Sequence, residues 1–156
     1  MNVLILHGPN LNLLGEREPS IYGKMTLPQL NARMRSEARR LKMTVRIFQR
    51  NGEGQLIDLL HQYRKWADGV VFNPGAYTHY SYALRDAVAA IEIPTVEVHL
   101  SDIRSREKWR RVSVIEPACV AQIAGKGAGS YIDALRLLKG AGGGSRTHMV
   151  RSTERF

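Results

Sequence analysis

Short β-like runs alternate with longer amphipathic stretches along residues 2–139, and this alternation leaves few folds open. The β-like runs fall at residues 2–6, 44–49, 69–73, 94–99 and 120–124. Between the first two, Leu27, Leu30, Met34, Ala38 and Leu41 recur at helical spacing, predicting a helix over residues 27–42. Thr26 is placed to cap it, and Pro28 is tolerated in its first turn. Leu56, Leu59, Leu60 and Tyr63 share one face of a helix over residues 55–66. Ala83, Leu84, Ala87, Val88 and Ile91 do the same over residues 80–91. Residues 107–111 suit a short helical turn, and residues 131–139 a last helix. Strands that alternate with helices build a parallel sheet covered on both faces. Five of them predict a flavodoxin-like three-layer α/β fold with strand order 2-1-3-4-5. Ligands of such sheets bind beyond the carboxyl ends of the strands, where the strand order reverses.

The chain has 156 residues, enough for one compact domain, expected over residues 1–139. From Gly140 the sequence turns Gly-rich, then polar and basic, without apolar periodicity, so residues 140–156 are expected to be a disordered tail. No apolar run nears the length of a membrane span, and no secretory leader is evident, so a cytoplasmic location with no membrane partner is expected. A lone cysteine, Cys119, cannot form an internal disulfide and reads as a buried small hydrophobe. The scattered histidines form no metal-binding pair. The net charge of +9 favours anionic partners, but the aromatics do not interleave with the basic residues, and nucleic acid is not expected. Gly8 and Gly15 have P-loop spacing, yet Glu16-Arg17 stands where the phosphate-binding Lys-Ser or Lys-Thr belongs.

Chemistry-bearing residues crowd the expected strand ends. The first strand runs into His7-Gly8-Pro9-Asn10, the third ends at Asn73-Pro74-Gly75 with His79 beyond, and the fourth carries Glu97 and His99 before Leu100-Ser101. The first loop is long and holds Arg17 and Tyr22. Tyrosine, with an ordinary pKa of about 10, is a poor base unless a cation stabilises its phenolate. Arg17, five residues earlier, is placed to do so, and Arg106 and Arg110 would add positive potential. Glu97, His99 and Ser101 alternate along one strand and point the same way, so they cannot converge as a nucleophilic triad.

Three stretches resemble the type II dehydroquinases. They are His7-Gly8-Pro9-Asn10-Leu11-Asn12-Leu13-Leu14-Gly15 with Arg17-Glu18 and Tyr22-Gly23, then Asn73 to His79 with Arg85-Asp86-Ala87, and Glu97 to Ser101 with Arg106-Glu107 and Arg110. The resemblance spans about residues 2–139. It implies a cofactor-free, metal-free lyase that converts 3-dehydroquinate to 3-dehydroshikimate. It implies Tyr22 as the base, Arg17 as its stabilising cation, Asn10 as enolate stabiliser through a bound water, and His99 as general acid tuned by Glu97. It further implies that Asn73, His79, Leu100, Ser101, Arg106 and Arg110 hold the substrate, with Arg110 on its carboxylate. Asp86 would reach a neighbouring subunit's site in a dodecamer of trimers. Tyr80 and Tyr82 are bulkier than the resemblance leads one to expect, and residues 49–54 match it loosely, with Gly52 replacing a side chain.

Overall fold

The computed structural model of the protein describes residues 1–142. Its five strands are β1 (Asn2–His7), β2 (Thr44–Gln49), β3 (Gly69–Asn73), β4 (Thr95–His99) and β5 (Ala121–Ala124). All pair in parallel, in the order β2-β1-β3-β4-β5, which is the flavodoxin-like arrangement expected. The helices are α1 (Pro19–Tyr22), α2 (Leu27–Arg40), α3 (Glu53–Tyr63), α4 (Tyr82–Ile91) and α5 (Ala128–Gly142). No helix among the described residues is long and apolar enough to cross a membrane.

Side-chain alternation along β1 splits the core in two. Val3 and Ile5 join Val71, Val96 and Val98 beneath α2 and α5, where Leu30, Met34, Leu135 and Leu138 complete one apolar layer. Leu4 and Leu6 join Val70 and Phe72 beneath α3 and α4, against Leu56, Leu60, Leu84 and Val88. Cys119 lies buried in that second layer, as expected of a small hydrophobe.

The element ends show where local chemistry overrode periodicity. Thr26 caps α2 as expected: its Oγ1 accepts from Gln29 N (3.4 Å) and Gln29 Oε1 accepts from Thr26 N (3.0 Å). Helix α4 starts at Tyr82, not at residue 80, because Ser81 Oγ accepts from Leu84 N at 3.0 Å and holds the first turn. Residues 75–79 instead form a 3-10 turn. Helix α5 starts at Ala128, earlier than expected, and continues through Gly140 to Gly142. The rest of the expected disordered tail, 143–156, lies outside the described residues.

Two glycines make the sheet's carboxyl edge possible. A Cβ at Gly8 would sit 2.6 Å from the Pro74 carbonyl carbon and oxygen. Only glycine lets the β1 and β3 loops approach this closely, with Gly8 N donating to Asn73 O at 2.7 Å. Gly75, at φ +62°, packs against Pro9 in the left-handed region.

Candidate active site

At this edge a cavity of about 130 Å³ opens between the ends of β1, β3 and β4 and the loop after β1. It gathers every expected site residue except Glu97 and Asp86. Glu97 lies directly behind His99, fully buried. Asp86 lies on the exposed face of α4 and does not reach this cavity.

The β4 side is built deep in the protein. His99 Nε2 lies 2.6 Å from Glu97 Oε2. The same oxygen accepts from Thr78 Oγ1 (2.9 Å) and Gln122 Nε2 (2.9 Å), while Oε1 accepts from Ser113 Oγ (2.7 Å). Burial alone would push the Glu97 carboxyl up. The hydrogen bond and charge of His99, with Ser113 and Gln122, outweigh that and hold it below the ordinary carboxylate range. An ionised carboxylate only accepts, so His99 Nε2 is the donor. Nδ1 is then the nitrogen left to exchange a proton with a ligand in the cavity.

The loop side is organised by arginines. Arg106 donates from Nη1 to the Tyr22 hydroxyl at 2.6 Å. Arg17 lies over the face of the Tyr22 ring, its guanidinium carbon 4.8 Å from the centroid. Arg17 thus flanks the ring, and the direct contact to the phenolic oxygen comes from Arg106. Arg106 in turn lies 3.8 Å from Glu18. Leu11 and Leu14 are buried and anchor the loop, while Leu13 is exposed. Tyr22 ends the one-turn helix α1, none of whose residues is buried.

Asn10 is left-handed, at φ 69°. Its backbone N–H donates to Asn51 Oδ1 at 3.1 Å. Gln49 Nε2 donates to that same oxygen (3.0 Å) and to the Gly8 carbonyl (3.1 Å), so the β2–α3 loop clamps the β1 loop. His79 Nδ1 donates to the Val112 carbonyl at 2.8 Å, which leaves Nε2 for the cavity. Burial lowers its pKa. Arg110 stacks on Trp109, 4.0 Å from the ring centroid, and its Nε lies 2.7 Å from Glu107 without a hydrogen-bonding angle.

Sequence reading missed Thr78, Ser113 and Gln122 around Glu97, and Gln49 and Asn51 behind Asn10. They arrive from separate segments; Thr78 fell in the stretch Asn73 to His79, and Gln49 and Asn51 in residues 49–54, both already singled out, whereas Ser113 and Gln122 fell in neither. Chemically, the cavity sets a phenol under two guanidiniums against an imidazole backed by a carboxylate. Such a lining offers two groups capable of proton transfer, with further cations for an anionic ligand.

Known proteins resemble this chain over most of its length. Residues 1–139 match the family model described as Dehydroquinase class II. The 3-dehydroquinate dehydratase of Pelotomaculum thermopropionicum is 57% identical over 136 residues, 87% of this chain and 94% of that protein. That of Bacillus pumilus is 51% identical over 140 residues, covering 90% and 95%. The type II dehydroquinase structure from Butyrivibrio crossotus superposes with a TM-score of 0.87 at 44% identity, covering 88% of this chain and 97% of that one. With residues 1–139 matched by the family model and most of its length matched by these relatives, the chain belongs to the class II dehydroquinase family.

Proposed function

We infer that this chain is a 3-dehydroquinate dehydratase that removes water from 3-dehydroquinate, giving 3-dehydroshikimate by anti elimination through an enolate. The observation that carries the reading is the pairing, across one small cavity, of Tyr22 under Arg106 and Arg17 with His99 backed by Glu97. Tyr22, as phenolate, takes a proton from the carbon next to the ketone. Its negative charge is stabilised by Arg106 at the oxygen and by Arg17 across the ring. Electrons move onto the ketone oxygen, and Asn10 stabilises that enolate through a bound water. The enolate then collapses and expels the hydroxyl, to which His99 donates a proton from Nδ1. Glu97 keeps the imidazole oriented throughout. Arg110 receives the substrate carboxylate, with the Leu100–Ser101 segment, Asn73 and His79 holding the ring. No metal or organic cofactor enters, because side chains supply both proton transfers.

The working assembly is a dodecamer of trimers, in which Asp86 reaches a neighbouring subunit's site. The exposed Tyr80 and Tyr82 flank that surface of α4. The enzyme is placed in the cytoplasm.

The test is ultraviolet absorbance on mixing the purified protein with 3-dehydroquinate, with and without borohydride and a chelator. Formation of the absorbing enone, insensitive to both additives, is the expected result. No absorbance change from folded protein would overturn the dehydratase reading, and loss of activity with either additive would overturn the cofactor-free mechanism.

A further inference from the structure

Behind the cavity, inside the apolar layer under α2 and α5, runs a buried polar chain of which the mechanism above uses only Asn73. His7 and Asn73 are register partners across β1 and β3, and Tyr131 rises from α5 between them. All three side chains are buried. Asn73 Nδ2 donates to the Tyr131 hydroxyl oxygen at 2.9 Å, and that hydroxyl lies 3.0 Å from His7 Nδ1. His7 Nε2 lies 2.8 Å from Asn31 Oδ1 on α2. On its other side, Asn73 Oδ1 accepts from Gly75 N at 3.0 Å.

We propose that His7 and Tyr131 are positioning residues for the Asn73 amide, fixing from within the core which of its atoms faces each substrate hydroxyl. The proposal rests on the dehydratase reading for its substrate. The Gly75 backbone N–H can only donate, so Asn73 Oδ1 accepts from it and Nδ2 turns to the Tyr131 oxygen. Asn31 Oδ1 can only accept, so His7 carries its proton on Nε2. A neutral ring with Nε2–H accepts at Nδ1, so Tyr131 gives its one proton there. The tyrosine oxygen is then free to accept, and Asn73 Nδ2 is the donor it meets. Reversing any one step leaves two donors or two acceptors facing each other in a dry core. A flipped Asn73 amide would also set Nδ2 against the Gly75 N–H.

Burial supports the same state. It pushes His7 down to about 4 and Tyr131 above the ordinary phenol value, so neither titrates near neutral pH. A phenylalanine at 131 would fill the same apolar volume without these obligations. The amide that results has one Nδ2 hydrogen and one Oδ1 lone pair left for the cavity, at fixed places. That pair suits adjacent ring hydroxyls, one accepting and one donating.

The test compares Tyr131→Phe, His7→Leu and His7→Asn with wild type in steady-state turnover of 3-dehydroquinate, alongside melting temperature. An asparagine at 7 keeps an acceptor near the Nδ1 position. With Oδ1 still on Gly75 N but the Nδ2 end loosened, KM is expected to rise about tenfold in Tyr131→Phe and His7→Leu, with kcat changed much less. His7→Asn is expected to restore KM to within about threefold. Unchanged KM in folded Tyr131→Phe would overturn the proposal. So would kcat and KM losses that merely follow the melting temperature across all three variants. Nitrogen-15 shifts of the His7 ring in wild type provide a substrate-free reading that needs no variant to fold. The Nε2–H tautomer is expected, and the Nδ1–H tautomer would overturn the relay. A wild type that shows the expected tautomer yet no turnover would sink the dehydratase reading instead.

Discussion

The two walls of the cavity are built in opposite ways. His99 ends a strand in the sheet, and its carboxylate partner is fully buried and accepts from four side chains. Tyr22 ends a one-turn helix in a long loop, half-exposed; its ring rests on the edge of the core beneath α2 and α5, while its hydroxyl is held by Arg106, with Arg17 over the ring. The wall proposed as the acid wall therefore shares its interactions with the fold, whereas the hydroxyl of the proposed base wall is largely independent of it. Rate and stability should separate at the base wall and be lost together at the acid wall.

Tyr22→Phe is the sharpest way to break the comparison. Removing the base is expected to lower kcat on the order of 10³-fold, within the usual range for a lost acid–base group. The melting temperature should stay within about 2 °C, since a half-exposed hydroxyl carries little stability. Near-wild-type turnover would remove Tyr22 from the mechanism.

At the acid wall, Glu97→Gln should cost both quantities. The new amide must set its N–H₂ group against the His99, Thr78 and Gln122 donors or against the Ser113 hydroxyl, and the buried carboxylate that accepts from all four is lost. A destabilisation of about 3 kcal/mol is expected, together with a fall in kcat of about 10²-fold. Chemical denaturation and the absorbance assay check the two together. A rate loss without a stability loss would mean that the four-donor cluster is not what holds the acid wall.

Arg17→Ala then sharpens the base wall. Arg17 touches the ring face while Arg106 holds the hydroxyl, so Arg106 should retain part of the stabilisation. A fall in kcat of about tenfold to a hundredfold is expected, with a melting temperature close to wild type. A loss as deep as that of Tyr22→Phe would show that Arg17 acts on the phenolic oxygen itself once substrate is bound.

The same contrast explains what could be read from the sequence. The sheet was legible because strands buried on both faces and helices with one apolar face leave different periods, and Leu4/Leu6 against Val3/Ile5 obey them. Element ends were less legible because glycine lowered the apparent helical signal around Gly54, Gly129 and Gly140. A helical glycine costs only about 1 kcal/mol relative to alanine, and the helices run through all three. That the candidate residues at strand ends would share one cavity was legible because the strand order brings those ends together. Their supports were not. Arg106 meets a tyrosine 84 residues away, and Thr78, Ser113 and Gln122 meet at Glu97 from three separate segments. No period or spacing records such meetings. Asp86 was read only through the family resemblance, and in the single chain it lies outside the cavity.

The smallest expected effect tests whether the core behind the cavity behaves like the acid wall. His7 has a pKa of about 4 in the fold, against 6.5 when unfolded, because burial disfavours its charged form. Between those values the unfolded chain binds a proton that the native chain refuses, so stability falls as pH drops through this window. The His7 share of that loss is on the order of 1 kcal/mol by pH 5.5 and about 3 kcal/mol below pH 4. His79, also lowered by burial, adds a slope of the same sign. Glu97 loses its contribution only below the ordinary carboxylate range, outside the upper part of the window. Urea unfolding of wild type and His7→Asn at pH 7.5, 6.5 and 5.5 isolates the His7 share as a difference. Wild type should lose about 1 kcal/mol more than the variant across that range. Equal losses would mean that His7 is not held neutral in the fold, and the directional chain to Asn73 would then have no fixed starting point.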